Sequence, residues 1–565
     1  MKILGNISIG IFTIIFITVL ISCETVSQPA SNQESLKDKD VYADVEFSMA
    51  RIEEPTFTAN SCKITEFGAY GDGITNNSAA FEEAINSMVE KGGGKVIVPR
   101  GIWLTGPIVL KSNINLHVAD GALIVFSKDF DEYPIIETSF EGLDTYRCLS
   151  PISGKGLENI AITGNGVIDG SGEAWRPVKK EKLTANHWKN LVKSGGVLSE
   201  DGRIWYPTEK SKKGDNRNNF NVPDFDDPKQ FEEVKDFLRP VMVSLINCNR
   251  VLLDGPTFQN SPAWNIHPLM CENVTIRNLT VKNPWFSQNG DGLDLESCKN
   301  VVIYDNSFDV GDDAICIKSG KNEDGRKRAM PTENVIIKNN IVYHGHGGFT
   351  IGSEMSGGVR NMHISNCTFI GTDVGLRFKS TRGRGGIVEH IYISNIDMIN
   401  IPTDAIRFNL FYEGKSPIPD SDQTSESDNQ VALVPVTEET PAFKNIYMND
   451  IIAVNCGTAA YFQGLPEMML EDIHLKNASF SAGKGITIID AKNLVFENVK
   501  IDQKQETVMN IYNGIELNFE RIKDISNGDI RVSGPLTKDI FFKASDIKDK
   551  QIKCSDKIKM EIVIE

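Results

Sequence analysis

Leu293-Asp294-Leu295-Glu296-Ser297, Ile315-Cys316-Ile317-Lys318-Ser319, Phe349-Thr350-Ile351-Gly352-Ser353 and Leu376-Arg377-Phe378-Lys379-Ser380 are four copies of one pattern. Each has apolar residues at positions one and three and a serine at five, while positions two and four vary freely. That is the period of a strand with one buried face, with positions two and four pointing outward. A second phrase, Asn-(Val/Ile)-x-(Ile/Leu/Met)-x-Asn, occupies residues 273–278. It recurs in similar form from Asn300, Asn334, Asn361, His390, Asn445, Asp472 and Asn493, at intervals of 27, 34, 27, 29, 55, 27 and 21 residues. Val/Ile-rich strands between Asn-rich turns, with a period in the twenties, predict an all-β chain wound as a right-handed parallel β-helix. One coil cannot bury its apolar face alone; stacked coils share one core.

Upstream of the repeat, Asn77 to Val89 has helical spacing, with Phe81, Ala84, Ile85 and Met88 on one face. This helix is expected to cap the open N-terminal end of the solenoid. Gly92-Gly93-Gly94 precedes the strand at 95–99 but lacks the Gly-Lys-Ser/Thr ending of a phosphate loop. The coils are expected to run to about residue 505, with 506–565 finishing and capping them. Two insertions interrupt the period. Residues 172–238 are charged and aromatic, with Trp175, Trp188 and Trp205; residues 413–440 are rich in Ser, Asp, Pro and Glu. Insertions in a repeat fold map to loops on one face, often the binding face, and the aromatic one is the better candidate for function. The catalytic domain is thus expected to be a single unit over 56–565.

The N-terminus reads as a leader. Lys2 precedes an apolar run from Ile7 to Ile21, which ends Leu20-Ile21-Ser22-Cys23. A charged start, an apolar run and small residues fit a secretory signal. The ending resembles a bacterial lipobox, which implies a signal peptide over 1–22 and lipidation of Cys23. The protein is then expected to be an exported lipoprotein of the bacterial envelope. Residues 23–55 are expected to be a polar tether.

The 565 residues include 47 Gly, and the formal charge is −17. An acidic surface argues against nucleic acid, whose phosphates need basic neutralisation. Any anionic substrate must then meet a locally basic site. The 10 Cys residues do not form a dense disulfide framework. Cys248, Cys271 and Cys298 occupy equivalent points of successive repeats and are expected to stack as small buried side chains, not as a metal site.

Chemistry is expected just before the repeated strands. Aligned by their serines, Asp291 and Asp313 share one position, and Asp312 and His346 share another. Equivalent positions in adjacent coils lie about 4.8 Å apart, so each pair should be neighbours. Three carboxylates so close cannot all ionise easily, and one pKa should be pushed up. Arg377 and Lys379 occupy outward positions, with Lys318 expected one coil before Lys379 in its column. This basic patch can hold a substrate carboxylate. Three aspartates can also hold calcium, but the adjacent cations oppose a metal, and none is expected.

These residues resemble a known family, the polygalacturonases of glycoside hydrolase family 28. The resemblance spans about 64 to 505 and takes in Phe67–Gly73, Asn159 to Ser171, and Asn260-Ser261-Pro262-Ala263-Trp264 with His267. The family's four site motifs follow in order as Asn289-Gly290-Asp291, Gly311-Asp312-Asp313, Gly345-His346-Gly347 and Arg377-Phe378-Lys379. Two positions depart from the family pattern, Gly290 for Thr and Phe378 for Ile; every charged residue is kept. The resemblance implies that Asp312 protonates the glycosidic oxygen, that Asp291 and Asp313 activate water, and that His346 tunes the acid. It further implies that Arg377 and Lys379 bind a galacturonate carboxylate and that Tyr412 is the subsite tyrosine. The reaction needs no cofactor and inverts the anomeric carbon, with roughly 6.5–9.5 Å between acid and base. The expected partner is pectic polysaccharide or oligogalacturonides.

The run Ser380-Thr381-Arg382-Gly383-Arg384-Gly385-Gly386 resembles that of bacterial exo-acting members. Arg382 can grip a further carboxylate, and the first insertion can wall off one end of a groove. Endo action and a branched pectin such as rhamnogalacturonan stay open as alternatives. So do two other classes, a calcium-dependent pectate lyase and a non-catalytic polysaccharide-binding β-helix.

Overall fold

The computed structural model describes residues 40–217, 219–412, 433–548, 551–555 and 562–564. The leader, Cys23 and residues 413–432 of the second insertion lie outside the described residues. The chain from Asp44 onward forms one unit.

That unit is a parallel β-helix. Val274, Val301, Val335, Met362, Ile391, Ile446 and Ile473 stand in one register through successive coils. All are buried and belong to a single continuous core. The repeated phrase is a turn, a strand and a turn. Its first residue lies in the left-handed region at all eight copies, from Asn273 to Asn493, with φ between 51° and 57°. Asparagine tolerates that region better than most residues. Its amide does more here: Asn334 Nδ2 donates to Asn300 Oδ1 (3.1 Å) and Asn361 Nδ2 to Asn334 Oδ1 (3.1 Å), so the turns are bonded coil to coil.

The expected column of Cys248, Cys271 and Cys298 is present, buried and unbridged. Phe378, the residue in place of Ile, stacks on Phe408 with ring centroids 4.1 Å apart and planes 3° from parallel. Phe462 continues the stack at 5.2 Å. The capping helix spans Ser78–Glu90 and buries Ala80, Phe81, Ala84, Ile85 and Met88. At the other end the coils do not stop near 505. Strands Thr507–Glu520, Asp529–Ser533, Lys538–Lys543 and Ile562–Ile564 keep the parallel register.

The polar tether is also shorter than its composition suggests. Glu46 accepts from His363 Nδ1 (2.6 Å), and Glu54 pairs with Arg277. Between these anchors the segment passes the coils carrying Val302 and Ile336. Both point away from the solenoid core, yet both are buried. Val45, Phe47, Met49 and Ile52 are half-buried, alternating with exposed neighbours at 44–49. Residues 44–55 are therefore a strap along the sheet.

The first insertion folds on itself. It holds a small antiparallel sheet of Val178–Lys179, Ile204–Tyr206 and Val197–Leu198 with helices Ala185–Lys193 and Glu209–Asp215. Trp175 and Trp205 serve packing rather than a ligand. Trp175 is buried edge-on against Phe130 and Tyr133, and Trp205 Nε1 donates to Gly195 O (2.7 Å). A hairpin of Ile135–Phe140 and Leu143–Cys148, not anticipated from the sequence, lies beside it. Glu141 and Leu143 of the hairpin and residues 219–222 of the insertion roof part of the strand face that carries the motifs.

Candidate active site

Each aspartate sits just before its strand, where the chain leaves a tight turn. Asp291 precedes Leu293–Glu296, and Asp312 and Asp313 precede Ile315–Lys318. The coil-to-coil register brings the three together as expected, with carboxylate oxygens within 4.8 Å of one another. Asp291 projects from one coil and Asp312 and Asp313 from the next. His346 Nδ1 lies 3.1 Å from Asp312 Oδ1, and the His346 amide donates to Asp312 O (2.9 Å). The glycines of the motifs are required by close approach. A Cβ at 347 would stand 2.7 Å from Asp313 Oδ1, and one at 345 would stand 2.8 Å from Asp312 O.

Three different environments result. Asp313 is buried, with Arg377 Nη1 on one oxygen (2.9 Å) and Lys379 Nζ on the other (2.9 Å). Burial alone would raise its pKa, but Lys379 and Arg377 outweigh that and hold it far below the carboxylate range. Asp291 is buried, and its Oδ1 has no hydrogen-bond partner among the described residues. Burial, then the charges of Asp312 and Asp294, push its pKa well up. Asp312 is the most open of the three, with 23% of its side chain exposed. His346 is raised by its bond to Asp312, against the opposing effect of burial. Asp291 is thus pushed up by its surroundings, while Asp313 is held down. The three aspartates could hold a metal by geometry alone, but Arg377 and Lys379 already neutralise Asp313.

The outward positions of the strands are covered, not exposed. Asp294, Glu296 and Lys318 are buried beneath the roof. Lys318 lies two coils before Lys379, not one, since Gly352 continues the column between them. Its ammonium is 2.9 Å from Glu354 Oε2 and 3.6 Å from Asp294 Oδ1, so it is a paired cation of the cavity floor. Arg382 is not in the site. It makes a two-pronged pair with Glu467 (2.6 and 2.7 Å), and Arg384 lines the cavity in its place.

Two cavities meet at Lys379 and Tyr412. One, of about 600 Å³, is roofed and reaches Asp291, Asp312, Asp313, Lys318, Lys321, Glu354 and Arg384. The other, of about 270 Å³, holds His346, Asp373, Arg377 and Arg407. Tyr412 stands with its ring 5.0 Å from Lys379 Nζ and 5.8 Å from the Arg377 guanidinium. Sequence reasoning missed Glu354, Lys321 and the buried Arg239, whose Nη2 donates to Asn289 Oδ1 (2.9 Å) and fixes the turn carrying Asp291. None of these lies in a repeated motif.

Two joined cavities lined by both carboxylates and cations suit acid–base cleavage of an anionic polymer. Comparison with known proteins agrees with this. The profile of Glycosyl hydrolases family 28 matches residues 178–460, which include all four motifs. A probable polygalacturonase of Vitis vinifera is 28% identical over 431 residues, 74% of each chain. An exo-poly-alpha-D-galacturonosidase of Dickeya chrysanthemi is 27% identical over 444 residues, 77% of this chain and 70% of its own. Among solved structures, an exopolygalacturonase from Thermotoga maritima is 32% identical with a TM-score of 0.63, over 80% of this chain and 94% of its own. With Asp291, Asp312, Asp313 and His346 drawn together and all four motifs inside the matched residues, the chain belongs to glycoside hydrolase family 28.

Proposed function

We propose that the protein hydrolyses the α-1,4 bonds of polygalacturonate from the chain end, with inversion. The observation that carries this reading is the roofed cavity beside the aspartates, opening past Lys379 and Tyr412 into a second, more cationic one. A chain end enters the roofed cavity, and the rest of the polymer lies over Arg377 and Arg407. Asp312, in contact with His346, delivers a proton to the glycosidic oxygen as the C–O bond breaks. Water held by Asp291 and Asp313 attacks the anomeric carbon, and Asp313, the ionised member, takes its proton. A sugar carboxylate on Arg377 and Lys379 draws cationic charge from Asp313 and makes it a better base. Asp313 has both oxygens occupied and Asp291 is buried, so neither suits nucleophilic attack; this supports inversion.

Polygalacturonic acid without added calcium tests the reading. Saturated monomer from the earliest times, first released as the β-anomer by proton NMR, is expected. A ladder of oligomers would overturn chain-end action, α-anomer would overturn inversion, and unsaturated products would mean a lyase.

The leader supports a further proposal, export and anchoring of the protein to a membrane by a lipid on Cys23. Mass spectrometry of the mature N-terminus is expected to find an acylated Cys23, and Cys23→Ala to release the enzyme from membranes. An unmodified terminus elsewhere would reject the anchor.

A further inference from the structure

Glu354 is a carboxylate inside a cavity proposed for a polyanion. It follows the strand Gly347–Ile351, whereas the aspartates precede theirs, so it faces them across the cavity from the far end of the strands. Its Oε2 accepts from Lys318 Nζ (2.9 Å), its Oε1 accepts from Ser353 Oγ (2.9 Å), and Arg384 Nη2 lies 4.0 Å from Oε1. Burial would raise its pKa, but Lys318, Lys379 and Arg384 outweigh that and keep it ionised. An ionised carboxylate only accepts, and it has about four acceptor sites. Two protein donors leave room for a hydroxyl.

Like charge keeps a sugar carboxylate away from Glu354, so hydroxyls must face it. In a pyranose, O4 lies across the ring from C1. With C1 at the aspartates, O4 points toward the opposite end of the cavity. In an α-1,4 chain the 2- and 3-hydroxyls occur on every residue, whereas a free 4-hydroxyl occurs only at the non-reducing end. An interior residue presents there an ether oxygen with no hydrogen, and a buried acceptor facing another acceptor is disfavoured.

We propose that Glu354 reads the free 4-hydroxyl of the terminal residue and so selects chain ends by hydrogen bonding as well as by the roof. This rests on the chain-end hydrolysis proposed above. The test uses trigalacturonate and the same trimer with a 4-deoxy non-reducing terminus, each with the wild-type enzyme and with Glu354→Gln, comparing kcat/KM. The wild type is expected to lose about 10- to 100-fold on the deoxy trimer. Glu354→Gln is expected to lose a similar factor on the natural trimer and nothing further on the deoxy one. Equal wild-type rates on both trimers would overturn the role of Glu354 while leaving chain-end hydrolysis intact, and would do so even if the variant failed to fold. Losses that multiply would also overturn it. Hydrolysis of neither trimer by the wild type would sink the chain-end reading, and this inference with it.

Discussion

Ser287 occupies the space that a side chain at Gly290 would need. A Cβ at 290 would collide with the Ser287 hydroxyl, and one at Gly311 would meet the same oxygen. The hydroxyl is held by Pro284 O at 2.6 Å, so it cannot easily turn away. The departure from Asn-Thr-Asp is therefore coupled to a serine three residues earlier, outside the motif. Gly290→Thr is expected to lower stability by about 1–3 kcal/mol through overpacking and to displace Asp291, reducing kcat. Ser287→Gly in the same chain should restore part of both. Additive losses in a double-mutant cycle of thermal midpoints would show that the two positions are not coupled.

Arg382 and Lys379 differ by three residues but not by function alone. Lys379 is buried on Asp313, whereas Arg382 is committed to Glu467 and lies over the Phe411 ring at 5.2 Å. Lys379→Met should lower kcat/KM by about 100-fold or more, since it removes a fixed charge from a water-poor site. Arg382→Ala should leave kcat nearly unchanged. A large kcat loss in Arg382→Ala with normal folding would return that residue to the site.

Asp291 sets a pH dependence of stability. Its folded pKa is raised above the unfolded value, so its contribution is full below the unfolded carboxylate pKa of about 3.9 and is lost as pH rises toward the folded pKa. Asp291→Asn removes that loss. The variant should be inactive yet melt higher than the wild type, and the gain should be greater at pH 7 than at pH 4. A gain independent of pH would mean that Asp291 is not the protonated member.

The His346–Asp312 pair gives the alkaline limb of activity. The bond to Asp312 raises the His346 pKa above its ordinary value, so the protonated pair persists below the raised value and is lost as pH rises through it. Activity should fall there. His346→Gln should lower kcat by about 10²-fold and abolish that limb. An unchanged limb in the variant would assign it to another group.

The repeat was legible because its two signals are local and periodic. Alternation in the four pentapeptides and Asn in left-handed turns each follow from backbone geometry, and register then predicted the pairings of Asp291 with Asp313 and Asp312 with His346. The roof was not legible. Trp175 and Trp205 look like ligand platforms in sequence, but Trp175 packs on Phe130 and Tyr133 outside the insertion and Trp205 is held by Gly195 within it. Glu354 and Arg239 act through contacts with residues 36 and 50 positions away, a distance no short motif spans. Lys318 stands one coil further from Lys379 than expected, since Gly352, position four of the third pentapeptide, lies between them.

The strap shows the same failure most clearly, since polar composition concealed a packed segment. Glu46 and Glu54 bind His363 and Arg277, and the alternate residues Val45, Phe47 and Met49 are half-buried. Removing residues 1–39 leaves both anchors and gives the reference midpoint. Removing residues 1–56 deletes both and uncovers Val302 and Ile336. Exposing two such side chains should lower stability by about 3–6 kcal/mol and shift the midpoint accordingly. The aspartates precede strands that pair in a different column from those carrying Val302 and Ile336, so kcat of the folded fraction should change little. Coincident midpoints for the two truncations would mean that the segment lies on the sheet without stabilising it.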